Sequence, residues 1–447
     1  MIKIIKDETN YGMFNTLDYE GEVLEDVKKF TGDFETSTWE EDRSRVWAFA
    51  LCNIDNEEIK IGTNIDDFIE ILLKENNPVV YFHNLKFDGE FLINWAFRHN
   101  FKHVETKEDI DNMTFTTLIS DIGQFYSIVF YLKKGNKKVK KITFYDSLKI
   151  IPFSVAEIAK AFNLEISKLE IDYNKPREIG YNLDEIEKEY IKNDVLIVAK
   201  ALKVLFNEGL DKMTEGANAL NDFKNILTKS KFNHYFPSLE YNVDKDLRKA
   251  YKGGFTYLSP EYKEKTIKNG VVLDVNSLYP SVMYEKLLPF GDPYYFEGKY
   301  KDDVVYPLYI QMISCSFELK KNKIPTVQIK NNKSFFRSNE YLTSSKNEIV
   351  CLTLTNIDLK LFLENYNVYE LNYVCGWKFK GIHNIFKNYI DKWITRKNNA
   401  TIEGNKGQRT LAKLMLNSLY GKFATSLDFQ SKIPFLGDDE IVHYRFS

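Results

Sequence analysis

The chain has 447 residues, and its 61 Lys and Arg against 64 Asp and Glu leave a net charge of −3, which excludes recognition of nucleic acid by bulk charge alone. Hydrophobic residues make up 44% and charged residues 28%, so a disordered chain is excluded, and roughly two or three folded domains are expected. The four cysteines lie far apart and no apolar run reaches the length of a membrane span, which argues against a zinc site, a disulfide scaffold and membrane association.

The first half of the chain alternates β-rich runs with helical stretches. Strand-like runs begin at Phe34 and include VWAFALCNI, VVYFHNL, FYSIVFYL and KITFYDSL, while helices are predicted at 66–74 and 183–206. The segment before about Phe30 is predicted to form an extra strand pair or a loose arm. The basic run KKGNKKVKK, between two of the strands, is either a loop that follows phosphates or a solvated hairpin tip. The alternation predicts an α/β domain that ends near Gly209.

Acidic residues in this domain recur at spacings that give them common faces. Asp33 and Glu35 are two residues apart, which on a strand puts both carboxylates on one side. Asp88 and Asp194 each follow a polar residue by one helical turn. Oxygen ligands without His or Cys suit Mg²⁺ or Mn²⁺, and two such ions can promote phosphodiester hydrolysis. We therefore predict that Asp33, Glu35 and Asp88 hold the metals and that Asp194 completes the set.

Neighbouring residues supply the rest of this predicted site. Tyr190 lies four residues before Asp194, and its hydroxyl is assigned to orienting the attacking water. Asn84 and Phe87 are assigned to an unpaired 3′ end of DNA, by hydrogen bond and by stacking respectively. Each acid alone is more simply a solvated surface residue. Together, the three spaced segments resemble the three exonuclease motifs of the DEDDy proofreading superfamily.

The chain changes character after this domain. A mostly helical stretch leads to VVLD, a predicted strand that ends at Asp274 and runs into a turn and helix. Residues 285–387 carry many short strand-like pieces, and residues 385–420 are predicted to form two helices around an Asn- and Gly-rich loop at 398–407. A second α/β or α+β unit is expected to begin at VVLD.

The last predicted helix carries a polar stripe. In QRTLAKLMLNSLYGKF, spacings of 4, 4 and 3 place on one line Arg409, Lys413, Asn417 and Tyr420, and on the buried side Leu411, Leu414, Met415 and Leu419. Two cations one turn apart can neutralise a triphosphate, and a Tyr at the end can pack on the incoming base or sugar. A solvated charged face would explain the two cations but not the Asn-Ser-x-Tyr-Gly around them.

Six ordered motifs give the chain a family resemblance. They are the three exonuclease segments, AYKGGFTYL, DVNSLYP and LAKLMLNSLYGKFA, and they resemble the protein-primed family B DNA polymerases of phi29-like phages from Asp33 to about Gly437. The resemblance implies an α/β and α+β multidomain fold, with a ribonuclease-H-like 3′-5′ exonuclease domain followed by an incomplete palm and fingers. It also implies a DNA-directed DNA polymerase of viral genome replication, two Mg²⁺ or Mn²⁺ ions per active site, and the cytoplasm of a phage's host.

The same resemblance implies roles for further residues. Asp274 would hold the polymerase metals, the backbone near Val275 would bind a metal or the triphosphate, and Tyr279 would form the floor of the nucleotide pocket. Implied DNA ligands are Ser147 and Leu148 for a single strand, Lys168 for a phosphate at the exonuclease site, and Tyr251, Gly253 and Gly254 of the YxGG loop for the template.

The implied domains and partners follow the motif order. The predicted boundaries are 1–210 for the exonuclease domain with an N-terminal extension, 211–285 for a linker, the YxGG loop and the first part of the palm, 286–388 for an insertion that contacts a terminal protein serving as primer, 389–424 for the fingers, and 425–447 for the start of a second insertion. The implied ligands are a single-stranded 3′ end, primer-template DNA and deoxynucleoside triphosphates.

One family feature is missing from residues 421–447. They lack the Tyr-x-Asp-Thr-Asp turn that supplies the second palm carboxylate, and the nearest acids, Asp438 and Asp439, are not expected in a hairpin. We therefore expect a truncated product or one half of a split polymerase completed by a second polypeptide, unable to extend a primer by itself.

Two alternatives stand beside this interpretation. One is a stand-alone metal-dependent 3′-5′ DNA exonuclease, which the polar stripe of the last helix disfavours. The other is a catalytically silent protein that still binds DNA or the terminal protein. The intact set of mutually repelling carboxylates disfavours that second alternative.

Overall fold

A computed structural model of the chain describes residues 27–38, 44–133, 139–178, 180–275, 277–328, 341–426 and 429–447. Most of the predicted N-terminal arm and the tip of KKGNKKVKK lie outside these residues. The chain divides into two compact units, one of Met1–Asn221 with Trp393–Ser447 and one of Asp222–Lys392. None of the described helices combines the length and the apolar character that a bilayer span requires.

The first unit is built on a mixed sheet. Its eight strands among the described residues run in the order β3-β2-β1-β4-β8-β7-β6-β5, and the central strands β1, β4 and β8 are parallel. The strands are β1 Lys29–Thr36, β2 Val46–Asn53, β3 Ile59–Gly62, β4 Val79–Phe82, β5 Lys102–His103, β6 Thr114–Ile119, β7 Phe125–Lys133 and β8 Val139–Asp146. The four quoted β-rich runs form β2, β4, β7 and β8, which confirms those strand predictions.

Helices cover both faces of this sheet. They are α1 Ile65–Leu73, α2 Leu85–Arg98, α3 Val155–Ala161 and α4 Glu185–Asn207, so the helices predicted at 66–74 and 183–206 are confirmed. Phe30 and Phe34 of β1 lie in a core of Phe and aliphatic side chains, to which α1 and α2 also contribute. Thr31, which alternates with them, donates from its hydroxyl to the Val195 carbonyl of α4 at 2.8 Å. Strand alternation therefore puts α4 on the opposite face.

The second unit combines helices with an antiparallel sheet. Its helices are α6 Lys229–Tyr235, α7 Tyr241–Arg248, α8 Leu278–Glu285 and α9 Asn356–Asn365, and α5 Glu215–Leu227 leads into it from the first unit. Its main sheet has the order β13-β10-β14-β9, built from β9 Leu288–Glu297, β10 Leu308–Leu319, β13 Val350–Thr355 and β14 Tyr366–Ile382. Between β10 and β13 along the chain, β11 Val327–Gln328 and β12 Tyr341–Leu342 form a separate antiparallel pair. Phe317, Phe362 and Tyr366 form the centre of the core.

The strand predicted for VVLD is wrong. Residues 271–275 lie in neither a helix nor a strand, and Val272 and Leu273 are 98% and 88% exposed. A strand is stable when a neighbouring strand pairs with its backbone, and within the described ranges no strand pairs with this segment. The local apolar pattern was correct for a strand, but the pairing partner is a tertiary requirement.

The two helices predicted within 385–420 are confirmed, but the loop between them is shorter than the predicted 398–407, because both helices extend into that range. They are α10 Lys387–Ile402 and α11 Lys406–Lys422. Ala400 is 4% exposed, and its packing holds the last turn of α10 in place. Gly404 then takes a φ of 70°, and Asn405 caps α11 by accepting from the Gln408 N–H at 3.0 Å.

A hairpin of β15 Lys432–Leu436 and β16 Val442–Phe446 follows in the first unit. Asp438 and Asp439 lie in its turn, so the expectation that these acids lack a hairpin is wrong. The hairpin packs on α2, where the Tyr444 hydroxyl donates to Glu90 at 2.7 Å.

Candidate active site

The four predicted carboxylates meet in the first unit. Asp33 and Glu35 flank the core residue Phe34 on β1 and therefore point to the other face of the sheet. The Phe34 N–H donates to Asp88 Oδ1 at 3.2 Å, which ties the first turn of α2 to β1. Asp194 on α4 lies close enough to Asp33 to repel it electrostatically. One strand and two helices thus converge on a single acidic cluster.

Burial and mutual repulsion change the acidity of these groups. Burial, and then the charge of Asp194, raise the pKa of Asp33 to about 7. Burial raises the pKa values of Glu35 and Asp88 well above their usual range, and for both the principal neighbouring charge is that of Asp33. Burial also raises the pKa of Asp194. The cluster therefore favours any cation that can bind between its carboxylates.

Lys168 supplies one positive charge to this cluster. Its Nζ donates to Asp194 Oδ2 at 2.6 Å. Burial opposes the charged amine, but the hydrogen bond and the negative charge of Asp194 prevail and raise the pKa of Lys168. Lys168, Asp33 and Asp194 line a cavity of about 110 Å³ together with Tyr81 and His83.

The donor set fits a hard divalent cation in its chemistry. Among the described residues, no three His, Cys, Asp or Glu side chains are already arranged as a metal site. The cluster is nevertheless made of carboxylate oxygens, and Asp194 Oδ1 is buried without a hydrogen-bond partner. An unpaired buried carboxylate oxygen next to other repelling carboxylates is a position that a cation would stabilise.

Tyr190 lies beside this cluster, as its spacing from Asp194 predicts. It is 2% exposed, and its hydroxyl lies 2.7 Å from the hydroxyl of Tyr173. Burial and the charge of Glu35 raise the pKa of Tyr190, so the hydroxyl keeps its proton. Sequence reasoning missed Tyr173, because it lies on an irregular segment where no periodicity marks it.

The residues predicted to hold a DNA end border an open pocket. Asn84, at the start of α2, takes a φ of 78°, and its N–H donates to Asp146 Oδ1 at 3.0 Å. Phe87 is 51% exposed, with its ring centroid 5.9 Å from that of Phe91. Asn84, Phe87 and Phe91 line a pocket of about 370 Å³ with Lys86 and Glu90. An exposed aromatic ring beside an amide side chain suits an unpaired base.

Ser147 departs from its predicted role. Its side chain is fully buried, and its hydroxyl donates to the Phe82 carbonyl at 3.0 Å and lies 3.0 Å from His83 Nδ1. This hydroxyl therefore holds the ends of β4 and β8 together and cannot reach DNA in this conformation. Of the two residues predicted to bind a single strand here, only Leu148, which is half-buried, remains a candidate ligand.

The predicted nucleotide-binding residues of the second unit lie on exposed chain. Asp274 and Val275 are exposed, on the segment that forms no strand. Tyr279, in the first turn of α8, is 42% exposed, and a Cβ added at Gly254 would lie 3.2 Å from its hydroxyl. The YxGG loop and the DVNSLYP segment therefore meet at this tyrosine, while Tyr251 is exposed and Gly253 faces open space.

The polar stripe lies on a helix, as predicted, and this helix is α11 of the first unit. All four of its members are exposed, namely Arg409, Lys413, Asn417 and Tyr420. Leu411, Met415 and Leu419 are buried, whereas Leu414 is half-buried and Leu416 takes the inner position instead. The predicted face was therefore right, with its centre shifted by less than half a helical turn.

Comparisons with known proteins place the chain in one family. The family model described as DNA polymerase type B, organellar and viral, matches residues 69–446. The DNA polymerase of Bacillus phage phi29 is 49% identical over 420 residues, which is 94% of this chain and 71% of the relative. That of Streptococcus phage Cp-1 is 34% identical over 438 residues, 93% of this chain and 73% of the relative.

Solved structures give the same result. A crystal form of phi29 DNA polymerase matches with a TM-score of 0.89 at 46% identity, covering 94% of this chain and 72% of that one. The complex of phi29 DNA polymerase with primer-template DNA matches with a TM-score of 0.88, at the same identity and coverage.

Proposed function

The chain belongs to the organellar and viral type B DNA polymerases, a family of DNA-directed DNA polymerases, and we propose that the part of its first unit from β1 to α4 is the 3′-5′ exonuclease of such an enzyme. The observation that carries this proposal is that the four carboxylates and Tyr190, on β1, α2 and α4, converge with Lys168 from the irregular segment before α4. The mixed α/β multidomain fold, which resembles that of phi29 DNA polymerase, agrees with it.

The reaction assigned to this site is phosphodiester hydrolysis at a DNA 3′ end. Asp33, Glu35, Asp88 and Asp194 would hold two Mg²⁺ or Mn²⁺ ions, which when bound ionise the attacking water and stabilise the leaving 3′ oxygen. The chain's own groups position the substrate. Phe87 would stack on the last unpaired base, and Asn84 and Leu148 would contact the strand.

Two further side chains act at the reacting centre, one on the attacking water and one on the scissile phosphate. Tyr190 keeps its proton because burial raises its pKa, so its hydroxyl can donate to or orient the attacking water without acting as a base. Lys168 is held in its charged form beside Asp194, and its ammonium would offset the negative charge of the phosphate.

Degradation of a 5′-labelled single-stranded oligonucleotide tests the proposal. With Mg²⁺ the protein should remove nucleotides stepwise from the 3′ end, and EDTA should stop the reaction. The double variant Asp33→Ala/Asp194→Ala should lower the rate by at least ~10³-fold. Degradation that is unchanged in this variant would show that the site is assigned wrongly.

Polymerisation is assigned to the remaining motifs of the family. We propose that Asp274 binds the polymerase metals, with the backbone at Val275, and that Tyr279 forms the floor of the nucleotide pocket. The triphosphate and incoming base would be bound by Arg409, Lys413, Asn417 and Tyr420, and the template by Tyr251, Gly253 and Gly254. The supporting observation is that the α11 stripe is exposed along its whole length.

A primer-extension assay on a polypeptide of these 447 residues tests the polymerase assignment. These residues contain Asp274 but no Tyr-x-Asp-Thr-Asp turn, so we expect no nucleotide addition without a second polypeptide that supplies one. Clear addition of nucleotides by this polypeptide alone would overturn that expectation.

The finer biological role is proposed from the family as well. We infer protein-primed replication of a phage genome in the host cytoplasm, with residues 286–388 contacting a terminal protein that serves as primer. Transfer of a first deoxynucleotide to a separately purified terminal protein, abolished by deletion of 286–388, is the expected result. Priming that is unaffected by the deletion would contradict the role of this segment.

A further inference from the structure

We infer that Arg177 is a positioning residue of the exonuclease site: it fixes an irregular segment along α4, so that Lys168 and Tyr173 reach Asp194 and Tyr190. The inference rests on the proposed exonuclease function. The segment consists of residues 164–184, which we call the α3–α4 connection, and its described residues form neither helix nor strand.

Arg177 is the anchor of this connection. Among its described residues, 164–178 and 180–184, only Arg177 has a buried side chain, with 1% exposed. Its guanidinium Nε donates to Glu187 Oε1 at 2.9 Å, and the group lies 4.1 Å from the centroid of the Trp47 ring on β2. A buried cation requires such partners, so this position is strongly specified.

The same guanidinium also holds the backbone of the connection. Its Nη1 donates to the Lys175 carbonyl at 2.8 Å, and its Nη2 donates to the Asp172 carbonyl at 3.0 Å. The planar fork of Arg can satisfy a carboxylate and two carbonyls at once, which the single ammonium of Lys cannot do in that geometry. The backbone on either side of Tyr173 and Asn174 is thereby fixed relative to α4.

The connection follows one face of α4. Glu187, Tyr190 and Asp194 are spaced by three and four residues, so they lie on one side of this helix. The connection meets that side at three successive levels: Arg177 contacts Glu187 at 2.9 Å, the Tyr173 hydroxyl lies 2.7 Å from that of Tyr190, and Lys168 Nζ lies 2.6 Å from Asp194 Oδ2. The buried first contact therefore determines the register of the two contacts at the site.

The two contacts at the site cannot determine that register themselves. Tyr173 is 46% exposed, and the side chain of Lys168 is 34% exposed. Long, partly solvated side chains on irregular backbone have many accessible conformations, and only a fixed backbone keeps them within hydrogen-bond reach. We therefore assign to Arg177 an effect on turnover that operates through Lys168 and Tyr173.

Steady-state kinetics of Arg177→Gln test this inference in two backgrounds. In the otherwise unchanged protein, the variant should lower kcat for single-stranded DNA degradation with Mg²⁺ by roughly 10- to 100-fold, and KM by no more than about threefold. In the Lys168→Ala/Tyr173→Phe background the same substitution should add less than about a threefold loss, since the groups through which it acts are already gone.

Arg445→Gln is the matched control. It removes an Arg pair with Glu105 on the surface of the same unit, with a contact of 2.7 Å, and should leave kcat unchanged. Should Arg177→Gln fail to fold, Glu187→Gln keeps the shape of the partner while removing its charge, and it should lower kcat about 3- to 10-fold with the same dependence on background.

Two results would overturn the inference. One is an unchanged kcat in Arg177→Gln, or in Glu187→Gln where that variant is used instead. The other is an equal loss of kcat in both backgrounds, which would indicate general destabilisation. Failure of the exonuclease proposal is distinguishable, because then the unmodified protein would not degrade DNA or Asp33→Ala would degrade it normally.

Discussion

The acidic cluster of the first unit and the Asp274 segment of the second unit carry the same kind of residue in opposite environments. Asp88 and Glu35 are 3% and 7% exposed, between a strand and two helices. Asp274 is exposed, on backbone that pairs with no strand of the described chain. Both regions were predicted from sequence motifs, but of the two only the first surrounds its carboxylates with packed helices and a strand.

The difference shows what a fold adds to a motif. A carboxylate changes its acidity when it loses water and faces other negative charges, and both conditions require neighbouring elements. In the first unit those elements are β1, α2 and α4, all of which are formed by the described residues. The motif around Asp274 has a helix after it but no strand pairing before it, so its acid keeps its contact with solvent.

Hydrogen exchange gives the largest expected contrast between the two regions. Amides of residues 271–275 should exchange at nearly the rate of an unstructured peptide, whereas those of β1 that pair with β2 and β4 should exchange at least ~10⁴-fold more slowly. Mass spectrometry after proteolysis would measure both in one sample. Comparable protection in the two segments would contradict the difference described above.

Removal of one buried charge should have the next largest effect. Asp88→Asn keeps an oxygen that can accept from the Phe34 N–H but loses the carboxylate charge, so single-stranded DNA degradation should fall by at least ~10³-fold. The thermal midpoint should not fall, because a repelling charge has been removed from the cluster. Activity within tenfold of the unmodified protein would exclude Asp88 from the metal ligands.

The stability of the first unit should depend on pH through Asp33. Its pKa is raised to about 7, so the folded state holds a proton that the unfolded state releases near its lower ordinary pKa. This contribution is fully present below that ordinary pKa and is lost as pH rises to about 7. In EDTA, Asp33→Asn should therefore be more stable than the unmodified protein at pH 8, by on the order of 1–3 kcal/mol, relative to their difference at pH 4.

Urea denaturation at the two pH values measures that difference. Mg²⁺ should raise the midpoint of the unmodified protein and have less effect on Asp33→Asn, since a bound cation relieves the same repulsion. An advantage of Asp33→Asn that does not change with pH would contradict the raised pKa.

The smallest predicted effect concerns the C-terminal hairpin. Tyr444→Phe removes the hydroxyl that donates to Glu90 at 2.7 Å while leaving the ring against Phe125. The free energy of unfolding should fall by about 1 kcal/mol. Val442→Ile at the neighbouring strand position is a useful control, because it alters packing without touching this hydrogen bond.

Local pattern was sufficient for much of the fold. The alternation in β1 places Asp33 and Glu35 on one face with Phe34 on the other, and the spacing of Tyr190 and Asp194 places both on one side of α4. These relations depend only on the period of a strand or a helix. The stripe of α11 was predictable for the same reason.

Contacts between distant segments were not predictable in this way. Ser147 has a sequence position that suits a DNA ligand, but the packing of β4 against β8 buries its hydroxyl. VVLD has the composition of a strand, but pairing decides whether one forms. Arg177 has no motif at all, because its partners Glu187 and Trp47 are brought to it by the sheet and by α4.

The sequence by itself determined the family, the order of the motifs and the identity of the acidic residues, because these depend on residue type and spacing along the chain. The tertiary structure alone decided which acids are buried together, how far their acidity shifts and which residues hold Lys168 and Tyr173 in place. Those properties arise from loss of solvent and from the proximity of charges on separate elements, and neither is written in local spacing.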